Sequence, residues 1–347
     1  MFWSDNIGFS VAPKRTQQFS RDVTNVSARA KRLEKTVKNM RKKVEETVMI
    51  QDNGYNFGKG TLAHTLMSVD KNIIHAQVPE GTTAIHFMAF GSQVKTVHIP
   101  ASVSSIFGGP GLSGDSTVAY SVAEDSPYFC ADDGILYSKD KRMLIRYPAS
   151  KPDKSFAVPD HVECISDHAF ASAQYLEEVY ILTTVHAIKW TPFTDCQVLR
   201  AIHVADNNLY FSSRDGVLFT SNAEKLIQYP SAKTDEEYTV PNGVEVICAE
   251  AFANNQHLRK LQFSDTVRVI GKYGCANMGN LEQVKLPDGL EAIFSMAFCC
   301  ERVESKLPNL VVPSGVECIG GWAFSGIQHV EYRGVAADAS WGAKSIN

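Results

Sequence analysis

The chain has 347 residues, 44% hydrophobic and 21% charged, with a formal net charge of −4. That apolar content excludes a disordered or low-complexity chain and suffices for a large core, or for one core extended by repetition. The charge is unevenly held: residues 14–45 carry eleven Lys/Arg against three acidic residues, a local +8, so the remainder carries −12 and a basic leader precedes an acidic body.

The first residues, MFWSDNIGFSVAPKRTQQ, show no basic n-region followed by an unbroken apolar h-region, and no run reaches the ~18 apolar residues of a membrane span. The expectation is a protein without a signal peptide, cytoplasmic or carried in a virion or assembly released without Sec export. Residues 1–18 hold Pro13 and the large apolar Phe2, Trp3, Ile7 and Phe9 without periodicity, which predicts an extended arm that either frays or docks into a larger assembly. Over 19–50 the apolar steps alternate three and four: Phe19, Val23, Val26, Ala30, Leu33, Val37, Met40, Val44 and Thr47. This a/d seam predicts a parallel coiled-coil helix and a homo-oligomer, trimer ahead of dimer, buried along Val23, Val26, Ala30, Leu33, Val37, Met40 and Val44. Its lysines and arginines fall mostly off the seam and read as a solvated face, not as a nucleic-acid surface. QDNGYNFGKG opens a Gly/Asn-rich linker or capping segment over 51–74.

From 75 to 333 one phrase recurs. The strand positions Val78, Ile99, Val158, Ile181, Val240, Phe263, Leu286 and Val312 are each followed seven residues later by Ile85, Ile106, Ile165, Ile188, Ile247, Ile270, Ile293 or Ile319. Five residues beyond the Ile stands Phe90, Phe170, Phe193, Phe252, Phe298 or Phe324, with Gly111 and Cys275 where the aromatic is replaced. Adjacent copies lie about 23 residues apart, the range of leucine-rich solenoids, in which no copy buries its apolar face alone and stacked copies bury a continuous one. The fold class expected is a β-rich leucine-rich-repeat solenoid, a parallel strand ladder joined by short turns or helical segments, preceded by the coiled coil. A longer rhythm of 82 residues relates SPYFCADDGILYSKDKRMLIRYP to NNLYFSSRDGVLFTSNAEKLIQYP. Asp-Gly, a polar turn and Tyr-Pro mark β-hairpin inserts at 126–157 and 207–239 that decorate the solenoid. Residues 334–347 form a C-terminal tail.

Ile-x-x-x-Ala-Phe, the strand ending at Ile99-Pro100, Val158-Pro159, Val240-Pro241 or Val312-Pro313, and the Asp-Gly-[Ile/Val]-Leu-[Tyr/Phe]…Tyr-Pro insert together resemble the BspA-like leucine-rich repeats. The resemblance covers roughly residues 75–333. It implies a non-enzymatic binding module, many members of that family being surface adhesins. The arm, the coil and the missing export signal depart from the family pattern and leave a second expectation, a structural virion component (phage tail or head appendage) or an intracellular scaffold in which the solenoid is a spacer.

Catalytic chemistry finds no foothold in the sequence. Cys275 occupies a Phe position and reads as core filling, Cys299-Cys300 has no activating base beside it, and the ten histidines form no HxH or HExxH pair. Asp132-Asp133-Gly134 reads as a type I′ turn and not as a calcium loop, and Gly108–Gly114 lacks the Lys-Ser/Thr of a phosphate cradle. No catalytic residue, metal or cofactor is expected. Binding is expected on strand residues that point away from the core, which stacking aligns on one face: Thr96, His98, Glu178, Tyr180, Lys260, Gln262, Gln283, Lys285, His329 and Glu331. Their ligand would be a protein or a glycan. A competing surface is the pair of inserts with Tyr128, Phe129, Tyr210 and Phe211.

Overall fold

The computed structural model describes residues 50–86, 88–107, 116–334 and 341–343. The arm, the coiled-coil seam from Val23 to Val44 and the Gly-rich turn at 108–114 lie outside them. The described chain is a β-solenoid of about 11 turns. Its one helical segment among the described residues is a single 3-10 turn at Gly60–Leu62, and no helix there is long and apolar enough to cross a membrane.

Each turn lays one strand on each of two ladders. The long-strand ladder carries His75–Gln77, Thr96–Ile99 and Ala119–Val122, then Ser155–Ala157, Glu178–Ile181 and Ala201–Val204, then Glu237–Thr239, Lys260–Gln262 and Gln283–Lys285, and last Leu310–Val312 beside Val330–Tyr332. Pairing is parallel and in register, Val179 standing between Phe156 and Ile202. Alternation follows from the pleat: in Glu178–Ile181, Val179 and Ile181 are buried while Glu178 and Tyr180 face outward. The short-strand ladder holds the repeated isoleucines, with Ile165 opposite Ile188, and Ile247 opposite Ile270 in line with Ile293 and Ile319. Ile165, Ile247, Ile270 and Ile293 are fully buried.

The Ile-x-x-x-Ala-Phe segment forms the third side. Its third variable residue is left-handed in six copies: His168 (φ 52), Thr191 (φ 40), Glu250 (φ 58), Tyr273 (φ 55), Met296 (φ 60) and Trp322 (φ 60). That reversal turns the next residues inward, so the Phe side chain enters the core while its N–H reaches the following turn. Phe170 N donates to Pro192 O (2.8 Å), Phe252 N to Gly274 O (2.8 Å) and Phe298 N to Ala323 O (2.7 Å). Cys275 keeps the same bond to Ala297 O (2.7 Å) and is 2% exposed. Phe170 stacks on Phe193 with centroids 5.2 Å apart and planes 13° off parallel. Full burial of such a ring stabilises by roughly 2–3 kcal/mol before any packing term.

The inserts are not decorations. Phe129–Asp132, Ile135–Ser138 and Met143–Arg146 make an antiparallel meander whose third strand joins the short ladder beside Cys164–Ile165, and 211–228 repeats it. The middle strand is buried on both faces. Leu136 packs into the core that precedes it, while Ile135 and Tyr137 pack into the core that follows. Leu218 likewise faces back, and Val217 and Phe219 face forward. Each meander is therefore a wall between blocks of turns. Its Asp-Gly tip has both φ values positive, 47° and 76° at Asp133-Gly134, 49° and 77° at Asp215-Gly216, as a type I′ turn requires. The tip docks on the last long strand of the preceding block, Tyr120 N donating to Gly134 O (2.8 Å) and Ile202 N to Gly216 O (2.9 Å).

Residues 50–69 form a third meander of the same kind, largely inside the 51–74 expected as linker or cap and starting at the last residue expected in the coil. Ile50–Asp52, Tyr55–Phe57 and Thr65–Val69 pair in that order through an Asn53-Gly54 tip with φ 47° and 86°. At the position of Leu136 and Leu218 it carries Asn56, whose Nδ2 donates to Asp70 Oδ1 (3.2 Å). The first meander thus has a polar residue where the other two walls have a leucine packed into the preceding core. At the far end Trp341 is 5% exposed against Phe324 and Tyr332, and its carbonyl accepts from Phe324 N.

A wall also interrupts the hydrogen bonding of the third side: its own Tyr147 N and Tyr229 N serve Ala169 O and Ala251 O (2.7 Å each), and side chains add donors to the turn that follows. Arg146, 1% exposed, supplies donors in the second block, Nη1 to His168 O and Nη2 to Ala171 O (3.1 Å). Gln228, 82 residues on, donates to Ala251 O and Tyr229 O. Burial holds the guanidinium below its ordinary pKa, and the carbonyl dipoles of His168 and Ala171 offset part of its desolvation.

Candidate ligand-binding face

Outward residues of the long ladder form two columns, read directly from the register. The first runs His75, Thr96, Ala119, then Ser155, Glu178, Ala201, then Glu237, Lys260, Gln283. The second runs Gln77, His98, Ser121, then Ala157, Tyr180, His203, then Thr239, Gln262, Lys285, with Val311 and Glu331 after them. The sequence-derived candidates thus fall on one side of the solenoid but in separate sheets of two or three strands, because the walls break the ladder. Thr96 and His98 share the first sheet, Glu178 and Tyr180 the second, Lys260, Gln262, Gln283 and Lys285 the third; Glu331, with His329 just before its strand, belongs to the last.

Pairing within these sheets is local. His75 Nδ1 lies 2.9 Å from Thr96 Oγ1 and His98 Nδ1 3.0 Å from Ser121 Oγ. Lys260 Nζ meets Glu237 Oε2 at 3.1 Å and Arg333 meets Glu331 at 3.6 Å; exposed pairs of this kind contribute ~0–1 kcal/mol.

The second sheet is organised differently. Tyr180 and His203 stack with centroids 4.6 Å apart and planes 20° off parallel. Tyr180 Oη donates to Glu178 Oε2 (2.5 Å), which lies 3.3 Å from His203 Nε2. That bond to the carboxylate raises the phenol pKa. Three side chains from two strands thus hold one another in place on an exposed surface. His203 was not among the candidates drawn from sequence, although Leu199-Arg-Ala-Ile202-His-Val204 carries the repeat's own strand pattern and would have placed it outward.

The insert aromatics divide. Phe129 and Phe211 are buried in the walls, whereas Tyr128 and Tyr210 remain half exposed, Tyr210 against His186 at 5.7 Å. On the third side, Asp167 and His168 titrate abnormally. Burial pushes the Asp167 carboxyl up to about 6, and burial with the Arg146 charge lowers His168 to about 4. His168 Nδ1 contacts Thr194 Oγ1 (2.9 Å), which donates to Glu250 Oε2 (2.7 Å) across the second wall. This chain fastens two blocks together, as does Arg302 with Asp195 at 3.0 Å.

Nucleophilic chemistry has little to draw on. Burial pushes the Cys196 thiol up to about 12 and Cys248 to about 11, and raises Cys275 further, the opposite of an activated thiolate. A groove of about 470 Å³ lies along the short ladder, lined by Asp140, Arg142, Asp160, His161, Glu163, Thr184 and His186; Arg142 pairs with Glu163 at 3.4 Å. Among the described residues no group of three or more His, Cys, Asp or Glu is placed to hold a metal ion.

A parallel solenoid with an Ile on one ladder, an alternating Val-x-Ile strand on the other and a Phe at the third side is a leucine-rich-repeat architecture. The chain belongs to the BspA type leucine rich repeat region family, whose model matches six copies over residues 150–224 and 229–335, more than half of the chain. No curated protein matches it. Among solved structures it is similar to the pneumococcal vaccine antigen PcpA, at 18% identity over 86% of this chain and 85% of that one, with a TM-score of 0.49. It is also similar to a leucine rich cell surface protein from Faecalibacterium prausnitzii A2-165, at 18% identity over 82% and 88%, with a TM-score of 0.49.

Proposed function

We propose that this protein is a non-enzymatic binding module that recognises a protein or glycan through the outward columns of its long ladder. One observation carries the reading: positions that face inward repeat from block to block, while those that face outward do not. Val97, Val179 and Leu261 are equivalent and fully buried; the residues one step further along their strands are His98, Tyr180 and Gln262. Stacking needs only the inward set, so the outward set is free to encode recognition. The a/d seam of 19–47 supports an oligomeric base that multiplies weak contacts through effective concentration.

The test is retention of the purified full chain on arrayed glycans and on immobilised surface proteins, with His98→Ala, Tyr180→Ala and Lys260→Glu in parallel. Loss of retention by at least one of the three, with unchanged melting, is the expected result. Retention by none of the surfaces, or retention that all three variants preserve, would overturn the reading. Sedimentation of the full chain checks the base: a monomer at micromolar concentration removes the oligomer from the proposal.

A further inference from the structure

We infer that the second sheet carries a preformed slot for the ring of a neutral pyranose sugar, between Tyr180 and Ala157. This rests on the ladder reading above and names its ligand.

In the second column Ala157, Tyr180 and His203 occupy successive rungs, about 4.8 Å apart. His203 fills the rung on one face of Tyr180. On the other face the rung belongs to Ala157, whose methyl leaves vacant the space a ring would take, and both Ala157 and its neighbour Ser155 are exposed. A ring stacked on Tyr180 at the ~3.5–4 Å of apolar contact would lie over the Ala157 rung, about 4.8 Å away. Tyr180 cannot swing into it freely: its hydroxyl is tied to Glu178, and its far face to His203. Strand Ser155–Ala157 is the edge of its sheet, so its rim is reachable from the side.

The charge around the slot selects the class of ligand. Glu177 lies between Lys154 (3.1 Å) and Arg200 (3.6 Å), Glu178 lies against His203, and Lys151 is shared by Asp133 (2.9 Å) and Asp153 (3.0 Å). Charges of both signs interleave around the slot, so neither a guanidinium nor a carboxylate ligand meets a field of one opposite sign. A sugar ring presents an apolar C–H face to Tyr180 and hydroxyls that donate to the Glu178 carboxylate and exchange hydrogen bonds with Ser155.

The experiment is saturation-transfer NMR on the full chain with the methyl glycosides of glucose, galactose, mannose and N-acetylglucosamine, and with ethylguanidinium as a charged planar probe. At least one glycoside is expected to bind with a Kd on the order of 1 mM, through its ring C–H protons. Binding should weaken at least about tenfold in Tyr180→Ala and in Ala157→Phe, which fills the slot, and persist in Trp190→Ala, an exposed aromatic away from the long ladder. No glycoside binding, equal binding by Ala157→Phe, or ethylguanidinium binding alone would overturn the sugar slot. If sugars fail while Tyr180→Ala still abolishes retention on a protein surface, the slot falls and the ladder reading stands. If no ladder substitution alters retention, both fall.

Discussion

Replacing Gly216 by alanine tests the walls most directly. Gly216 sits at φ +77°, and a Cβ there would stand 2.8 Å from Ala201 Cβ and 3.0 Å from its Cα. The left-handed backbone costs a non-glycine residue ~1–2 kcal/mol, and a backbone shift forced by overpacking adds ~1–3 kcal/mol. The tip cannot simply lift, because Gly216 O accepts from Ile202 N (2.9 Å) and Ser213 Oγ from Val204 N (2.9 Å). A loss of about 3 kcal/mol is therefore expected in a urea melt, concentrated in the coupling between the second and third blocks, so the transition should broaden as well as shift. Gly134→Ala, with contacts of 3.0 and 3.2 Å, should cost less. The decisive comparison is Gly216→Ala combined with Ala201→Gly, which removes the 2.8 Å contact but keeps the 3.0 Å approach to the Cα and the backbone term, returning part of the loss. A single variant as stable as the wild type refutes the close approach, and so does a double variant that recovers nothing.

Phe170→Ala should lose ~3–5 kcal/mol by cavity formation, read in the same melt; an unchanged midpoint would contradict its place in the aromatic stack. Arg146→Ala should lose ~2–4 kcal/mol by stranding the carbonyls of His168 and Ala171, whereas Arg146→Gln, which installs the group found at Gln228, should lose less than half as much. The pair Asp167 and His168 makes a prediction with opposite signs. Asp167, raised from 3.8 to about 6, contributes stability that is present below pH 4 and lost as pH rises through 6; His168, lowered from 6.5 to about 4, contributes stability that is present above pH 6.5 and lost as pH falls through 4. Relative to wild type, Asp167→Asn should therefore lose stability on acidification from pH 7 to 4 and His168→Gln should gain it, as followed by thermal melts across that range.

The repeat was legible because burial acts on each copy alike: an Ile seven residues after a strand and a Phe five beyond it are what one rung of a stacked core needs. Cys275 could be assigned to the core for the same reason, as it stands where six copies have Phe. The first meander escaped because its tip is Asn53-Gly54 instead of Asp-Gly, and because 13 residues separate Asn53 from Leu66 where 11 separate Asp133 from Leu144. The double-sided role of the walls escaped for a different reason. Ile135-Leu136-Tyr137 is apolar without alternation, a pattern shared by any fully buried strand, and only the tertiary arrangement tells that one side belongs to the preceding block. Arg146 carries no sequence signal of burial at all; its partners are the carbonyls of His168 and Ala171 on the turn that follows its wall. The outward face was legible in direction but not in grouping, since alternation gives the side of a strand and says nothing of where a ladder ends.

That ending of the ladder shapes what recognition can look like here. A continuous solenoid offers one long surface, on which a ligand gains by spanning many rungs. In this chain the two inner walls divide the surface into panels, and each panel between walls has unlike edges. The last strand of the first and second panels lies under a wall tip, with Ala119 and Ala201 reduced to methyl groups so that Gly134 and Gly216 can approach. The first strand stays open, its outward residues exposed in all three blocks: His75 and Gln77, Ser155 and Ala157, Glu237 and Thr239. If the ladder binds as proposed, small ligands would be favoured at the open edge of a panel, and selectivity would rest on the few side chains of that panel, not on the sum of the ladder. The second panel is the one in which an aromatic ring, a carboxylate and a vacant rung coincide. Extended ligands would have to bridge panels, and for them the oligomeric base proposed for the N-terminal seam would add more than any single contact.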